Sequence, residues 1–262
     1  KNLDGGVLRK KISSFRNEVN FADGTFLNTV PVGIVKTIDK FKTVNFNYSD
    51  KTNGPSVSGG ACGFSIINRA LNVGECEMWG NPIAEMMYES LRYFSGKGTP
   101  TTDFMIPASG VSDSVLGLPL ASWNDPYAAV GGANYCAKPF QMVISDTNVS
   151  YDSDKVPGSA FSTFSGDISG LSATTMADEI TAHEGSSVTG MRYIGESRTL
   201  NAAGATVTLA DKAPTPKKVE SLAKIRGLAP EEPTKLGSYY AASMAYYGRK
   251  TDLRSDLNGK QQ

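Results

Sequence analysis

Histidine is almost absent from these 262 residues, His183 being the single one. A zinc centre built on several imidazoles, and any mechanism that needs two of them, is excluded within the chain. Net charge is absent too, since 26 basic residues balance 26 acidic ones. Proteins that bind nucleic acid usually carry a basic stripe for the phosphates, so no nucleic-acid partner is expected. No apolar run approaches the roughly 18 residues of a membrane-crossing helix, so no span is expected. No initiator Met, charged leader or apolar h-region opens the chain at Lys1. The expectation is a mature protein or a piece cut from something longer. Cysteine is scarce: three thiols allow at most one internal disulfide and leave one over.

What is present is enough for a core, with 40% hydrophobic residues. The 27 glycines and 13 prolines point to many turns and long irregular connections. Cys62 and Cys76 flank a short segment with Gly59, Gly60, Gly63 and Gly74 at its ends. A bridge closing that loop would stabilise by about 3 kcal/mol in the chain-entropy model. The alternative is three reduced, buried thiols. A loop-rich chain suits an oxidising compartment, which favours the Cys62–Cys76 bridge. Cys136 then stays free or pairs outside these residues.

Ile34, Ile38, Phe41 and Val44 recur at helical spacing with lysines between them, predicting an amphipathic helix entered at Pro31. The clearest helix lies at 82–95. Asn81 suits its N-cap, Pro82 its first position and Gly96 its stop. Ile83, Met86, Met87, Leu91 and Phe94 form its apolar face, with Glu85 and Glu89 on the other side. Residues 97–137 hold no sustained period and read as an insertion. Phe140 to Ser145 is a short apolar run that a buried strand would explain. Further strands are expected at 191–195 and 205–209. A helix from Thr215-Pro216 carries Val219, Leu222 and Ile225, and a last helix capped at Thr234 runs from Lys235 to about Tyr247. Alternation of strand and helix predicts an α/β domain with a parallel sheet and large loop-rich insertions around 45–78, 97–137 and 155–190.

After the 140–145 run, side-chain oxygens recur at Asp146, Asn148, Ser150, Asp152 and Asp154. Hard cations such as calcium or magnesium take oxygen ligands, and calcium takes six to eight. The opening matches D-x-N-x-S of an EF-hand. Tyr151 stands where that loop needs Gly and Pro157 where it needs Glu, so this is no EF-hand. The plainer alternative is an Asx-rich turn with solvated carboxylates. A second reading uses the rule that ligands sit beyond the carboxyl ends of strands in open α/β sheets. If Asn81 and Asp146 meet there, they form part of a divalent-metal site open to a partner's carboxylate.

Elsewhere, His183-Glu184 lacks the second histidine of H-E-x-x-H, and no serine sits in a G-x-S-x-G elbow. No nucleophile, base and orienter can be assembled, so a non-enzymatic role is expected. The alternative is a secreted carbohydrate-active or hydrolytic module using the 146–154 carboxylates.

Gly6-Val7-Leu8-Arg9-Lys10, Gly33 to Asp39, Gly74-Glu75-Cys76 and Met78 to Pro82 resemble one family. The helix from Ala84 to Phe94, Trp123 to Tyr127, Tyr135 to Phe140, Ile144 to Asp154, Ile225 to Pro233 and Tyr239 to Arg249 continue the likeness. The family is the PilY/PilC-type proteins of bacterial type IV pili. In such proteins the part before a C-terminal β-propeller often resembles a von Willebrand factor A domain, a Rossmann-like parallel sheet. Gly80 to Glu85 is similar to the Gly-Thr-Pro-Leu-x-Glu helix entry of those domains, and Val143 to Asp146 to the strand ending in an acidic metal ligand. Asn81 stands where the usual residue is Thr, and no D-x-S-x-S motif lies within these residues. The resemblance implies an extracellular protein at the pilus tip and cell surface. It would bind minor pilins and a host-cell or surface receptor, with its propeller downstream.

Overall fold

The computed structural model describes residues 3–27, 33–41, 46–47, 49, 52–53, 69–72, 80–106, 117–259 and 261–262. Cys62 and Cys76, and with them the expected disulfide, lie outside the described residues. Cys136 is exposed.

The fold is organised around one helix. The Gly80-Asn81-Pro82 entry and the Gly96 exit bound α2, Ile83–Phe94, as the spacing predicts. Ten of its twelve residues are buried, so it is a central element and not a surface one. Glu85 and Glu89, expected on a solvent face, are fully enclosed, whereas Met86 is exposed. The reason is that neighbours cover the helix on nearly all sides. The chain at Gly5-Gly6 crosses it so closely that a Cβ on Gly6 would lie 2.5 Å from the Glu89 Cβ, and Gly6 has φ +94. Only glycine fits there.

Besides the short α1, Ile34–Asp39, two further helices complete the helical layer: α3, Ala173–Glu184, and α4, Tyr240–Lys250. Both α2 and α3 pack on α4. Ile83, Tyr88 and Leu91 of α2 share one core with Met176 of α3 and Tyr240 and Met244 of α4. α3 falls in a stretch read as loop. Ser172 caps it by accepting from the Thr175 N–H. The expected final helix begins later than Lys235, because Pro233–Lys235 forms a separate 3₁₀ turn that leaves through Leu236 in the left-handed region.

Two sheets are present among the described residues. The small one pairs β1, Phe46–Asn47, with β2, Thr52–Asn53. The larger holds β3, Gly190–Leu200, between β4, Thr206–Val219, and β5, Ile225–Arg226. Both of its pairings are antiparallel. The class is therefore mixed α/β as expected, but among the described residues no parallel sheet occurs. Met191 to Gly195 is a strand as predicted, and Thr206 to Leu209 lies on an outer strand. The helix expected from Thr215 does not form. That stretch is the second half of β4, followed by a 3₁₀ turn and β5. Between Ile194 and Glu196 the register jumps, and residues 211–214 bulge outward with Lys212 at φ 59. The Lys217 ammonium fills the bulge, donating to Ile194 O at 2.7 Å, Asp211 Oδ1 at 2.6 Å and Ala213 O at 3.1 Å. Phe140 to Ser145, expected as a buried strand, is exposed and joins no ladder among the described residues.

Candidate functional site

The loop after Ser145 returns to the entry of α2 as the spacing anticipates. Asn81 and Ser150 form an antiparallel bridge: the Ser150 N–H donates to Asn81 O at 3.0 Å, and the Asn81 N–H donates to Ser150 Oγ at 2.8 Å. The Asn81 amide then reaches across the turn. Its Nδ2 lies 2.7 Å from Ser145 Oγ, 2.8 Å from Asp146 Oδ1 and 2.9 Å from Asn148 O. Asp146 Oδ1 also accepts from the Asn148 N–H at 3.2 Å, an Asx turn. Asn81 therefore clasps the loop and does not cap α2, whose first N–H groups receive no side-chain cap from Pro82.

Gly80, Asn81, Asp146, Asn148, Ser150, Tyr151, Glu232 and Lys235 line a cavity of about 250 Å³. Lys235 and Glu232 were not anticipated. They arrive through the 3₁₀ turn at Pro233–Lys235, whose Lys235 carbonyl accepts from the Tyr151 N–H at 2.8 Å. No local motif marks them, since they come from more than 80 residues further along the chain. Tyr151 takes φ 53, in the left-handed region, and Asp152 after it is buried and does not line the cavity.

Four of the six expected ligands, Asn81, Asp146, Asn148 and Ser150, thus meet. Asp152 and Asp154 do not join them. Asp152 is fully buried, and its Oδ1 accepts from the Ser238 N–H at 2.8 Å while its Oδ2 has no partner among the described residues. Burial pushes its carboxyl up to about 7. Burial also raises Asp154, and repulsion from Asp4 adds to it. Among the described residues, no group of three or more His, Cys, Asp or Glu side chains could hold a metal ion. Of the three aspartates only Asp146 lines the cavity, which Glu232 also lines.

Two buried carboxyl groups also lie on α2, Glu85 and Glu89. Glu85 accepts from the Gly5 N–H at 2.9 Å and the Lys155 N–H at 3.0 Å, tying both segments to α2. Burial, then repulsion from Asp154 and Asp4, pushes it up to about 9 against the pull of those two N–H groups. Glu89 accepts from Thr101 N–H at 2.7 Å, Thr101 Oγ1 at 2.6 Å and Arg92 at 3.0 Å. Arg92 in turn grips Asp167 through two bonds of 2.8 and 3.0 Å and lies over the Trp123 ring. These groups tie α2 to the segments around it.

Comparison with known proteins gives two matches. Residues 1–248 match the family model described as PilY1 homolog, second domain. The chain is 42% identical over 264 aligned residues to the type IV pilus biogenesis factor PilY1 homolog of Xylella fastidiosa. That alignment covers 95% of this chain and 17% of the relative, so the chain spans about one sixth of the relative's length. No solved structure matches the chain.

Proposed function

The chain belongs to the PilY1 homolog family, whose second domain it matches, and from that premise we propose that it serves type IV pilus biogenesis as a binding domain of a longer protein. The observation that carries this reading is the 42% identity to a pilus biogenesis factor across 95% of the chain. The finer reading is an adhesin at the pilus tip, outside the cell, that seats on minor pilins and presents a surface to host or abiotic ligands. Long irregular connections on a rigid helical scaffold support it, because binding surfaces grow on such loops. The local likeness of Gly80 to Glu85 and Val143 to Asp146 to von Willebrand factor A domains belongs to the same reading.

The cavity at Asn81 is the proposed contact point. Its donors are hard oxygens: the Asp146 carboxylate, the Asn148 carbonyl and the Ser145 and Ser150 hydroxyls, with the Asn81 amide able to turn its oxygen inward. The Asp146 and Glu232 carboxylates line the cavity together with Asn81, Asn148, Ser150 and the Lys235 ammonium, a mixed set that suits at most a weak, open calcium or magnesium site that a partner's carboxylate would complete. Asp152 and Asp154 have no part in it. Export through the periplasm would allow Cys62 and Cys76 to pair.

Immunogold labelling with an antibody against this chain tests the location. Gold at the ends of sheared type IV pili is the expected result. Gold confined to the cell interior would overturn the reading.

A further inference from the structure

The β3–β4 hairpin does not keep one register. Ile194 faces Thr215 and Glu196 faces Ala210, so four residues of β4, 211–214, stand against Gly195 alone, a surplus of three. Strand side chains alternate with a period of two, so sliding a strand by an odd number of residues moves each side chain to the other face. Closing the bulge onto β3 would therefore turn residues 206–210 over. It would also move the part of β3 beyond the bulge, where Glu196 pairs with Arg226 of β5 and accepts from its Nε at 2.6 Å.

One ammonium group holds the surplus residues out. Lys217 shares the inward face of β4 with Val219, a position where the strand period calls for an apolar side chain. Its side chain is 3% exposed. Nζ lies 2.7 Å from Ile194 O, 2.6 Å from Asp211 Oδ1, 2.7 Å from Thr215 Oγ1 and 3.1 Å from Ala213 O. The first of these oxygens belongs to β3 and the others to the bulge and its exit, so the ammonium bridges the two strands. The ring closes on itself. Thr215 Oγ1 donates to Asp211 Oδ2, and Asp211 Oδ1 also accepts from the Ala213 N–H at 3.1 Å. A lysine ammonium has three N–H donors. Four oxygens around it are a coordination shell for a cation, of the kind that carbonyl oxygens build where they replace the water around an ion. One carboxylate among neutral oxygens balances a single positive charge. The Asp211 side chain is 47% exposed, so the outer wall of this shell is open to water.

We infer that the bulge from Asp211 to Thr215 is a binding site for a primary ammonium group, which the chain fills from within with Lys217, and that filling it sets the register of the β3–β4 hairpin. This inference is independent of the pilus role.

Lys217→Ala tests it. The variant is studied with propylammonium, the part of the side chain that alanine lacks, and with 1-propanol, its uncharged counterpart, at matched ionic strength. Through-space NMR contacts between Arg198 and Thr208, which face each other across the hairpin, report the register. Hydrogen exchange reports its stability. The variant alone should lose those contacts and exchange at least about tenfold faster across 206–216. Propylammonium should restore both, and 1-propanol neither. Native contacts and exchange without any amine would overturn the inference. So would failure of propylammonium, or equal rescue by 1-propanol, which would reduce Lys217 to a filler of space. A second measurement needs no loss of the side chain: the ¹⁵N signal of the Lys217 ammonium in the unaltered chain should show protons shielded from water, and Asp211→Asn should speed their exchange. A Lys217 ammonium that exchanges as fast as those of exposed lysines would overturn the inference even if Lys217→Ala does not fold.

Discussion

Glu85→Gln isolates the buried carboxyl that holds three segments together. In the unfolded chain this group loses its proton near 4.5, whereas burial keeps it protonated in the fold until about 9. Between those values the folded state binds the extra proton. Stability from this group is therefore full below about 4.5 and falls as pH rises, by up to about 1.4 kcal/mol per unit. From pH 5 to 8 the loss reaches at most about 4 kcal/mol. Glutamine cannot ionise, so it removes that slope. It also has a cost, because its Oε1 can serve the Gly5 or the Lys155 N–H while its NH₂ group confronts the other donor. Leaving one buried N–H unpaired costs about 1–3 kcal/mol. At pH 5 the variant should be less stable by that amount, and by pH 8 the gap should close or reverse. Urea unfolding at pH 5, 6.5 and 8 measures it. Asp152 and Glu89 are raised as well, but they titrate in both proteins and largely cancel in the difference. A gap that stays constant across the three pH values would show that Glu85 is ionised in the fold, and the reasoning would fail.

Asn81→Ala removes the amide that holds Ser145, Asp146 and Asn148 O, and should cost about 1–2 kcal/mol in urea unfolding while speeding amide exchange across 145–150. Calcium at 100 times its dissociation constant should stabilise the chain by about 2.7 kcal/mol, a shift that Asp146→Ala abolishes. Thermal melting with and without calcium checks this, and a melt that ignores the ion removes the cation site. Protein purified from an oxidising compartment should show one thiol reactive under denaturing conditions before reduction, Cys136, and three after it. Three before reduction would rule out the Cys62–Cys76 bridge.

What was legible in the sequence follows from how local each signal is. The position of α2 is written in Asn81-Pro82 and Gly96, and the helix forms between them, but Pro82 and not Asn81 stands at its N-cap. The meeting of Asn81 with Asp146 was also readable, though through the Asn81 side chain and not through a cap on α2. The burial of Glu85 and Glu89 was not. Helical period assigns one face to solvent, and here Gly5-Gly6 and Thr101 arrive from distant parts of the chain to cover it. α3 was hidden because its Ala and Thr residues give a weak apolar stripe, although Ser172 before it was a usable cap. Val219, Leu222 and Ile225 fit a helical period by coincidence. Thr215-Pro216, taken as a helix start, lies on an outer strand, where Pro216 pairs opposite Tyr193. Phe140 to Ser145 was read as a buried strand from its apolar composition, but the run is exposed and among the described residues pairs with no neighbour. Lys235 and Glu232 carry no motif at all, and only the tertiary fold brings them to the cavity.

The role in pilus biogenesis is tested most directly by surface pilin. The complete gene would be deleted in its host and resupplied either intact or with the codons for residues 1–262 removed in frame. Pilin sheared from the cells would then be quantified against total pilin. The intact gene should restore the sheared fraction, and the shortened gene should leave it at the level of the deletion. A shortened protein that is exported in normal amount and restores sheared pilin fully would contradict the role proposed for this domain.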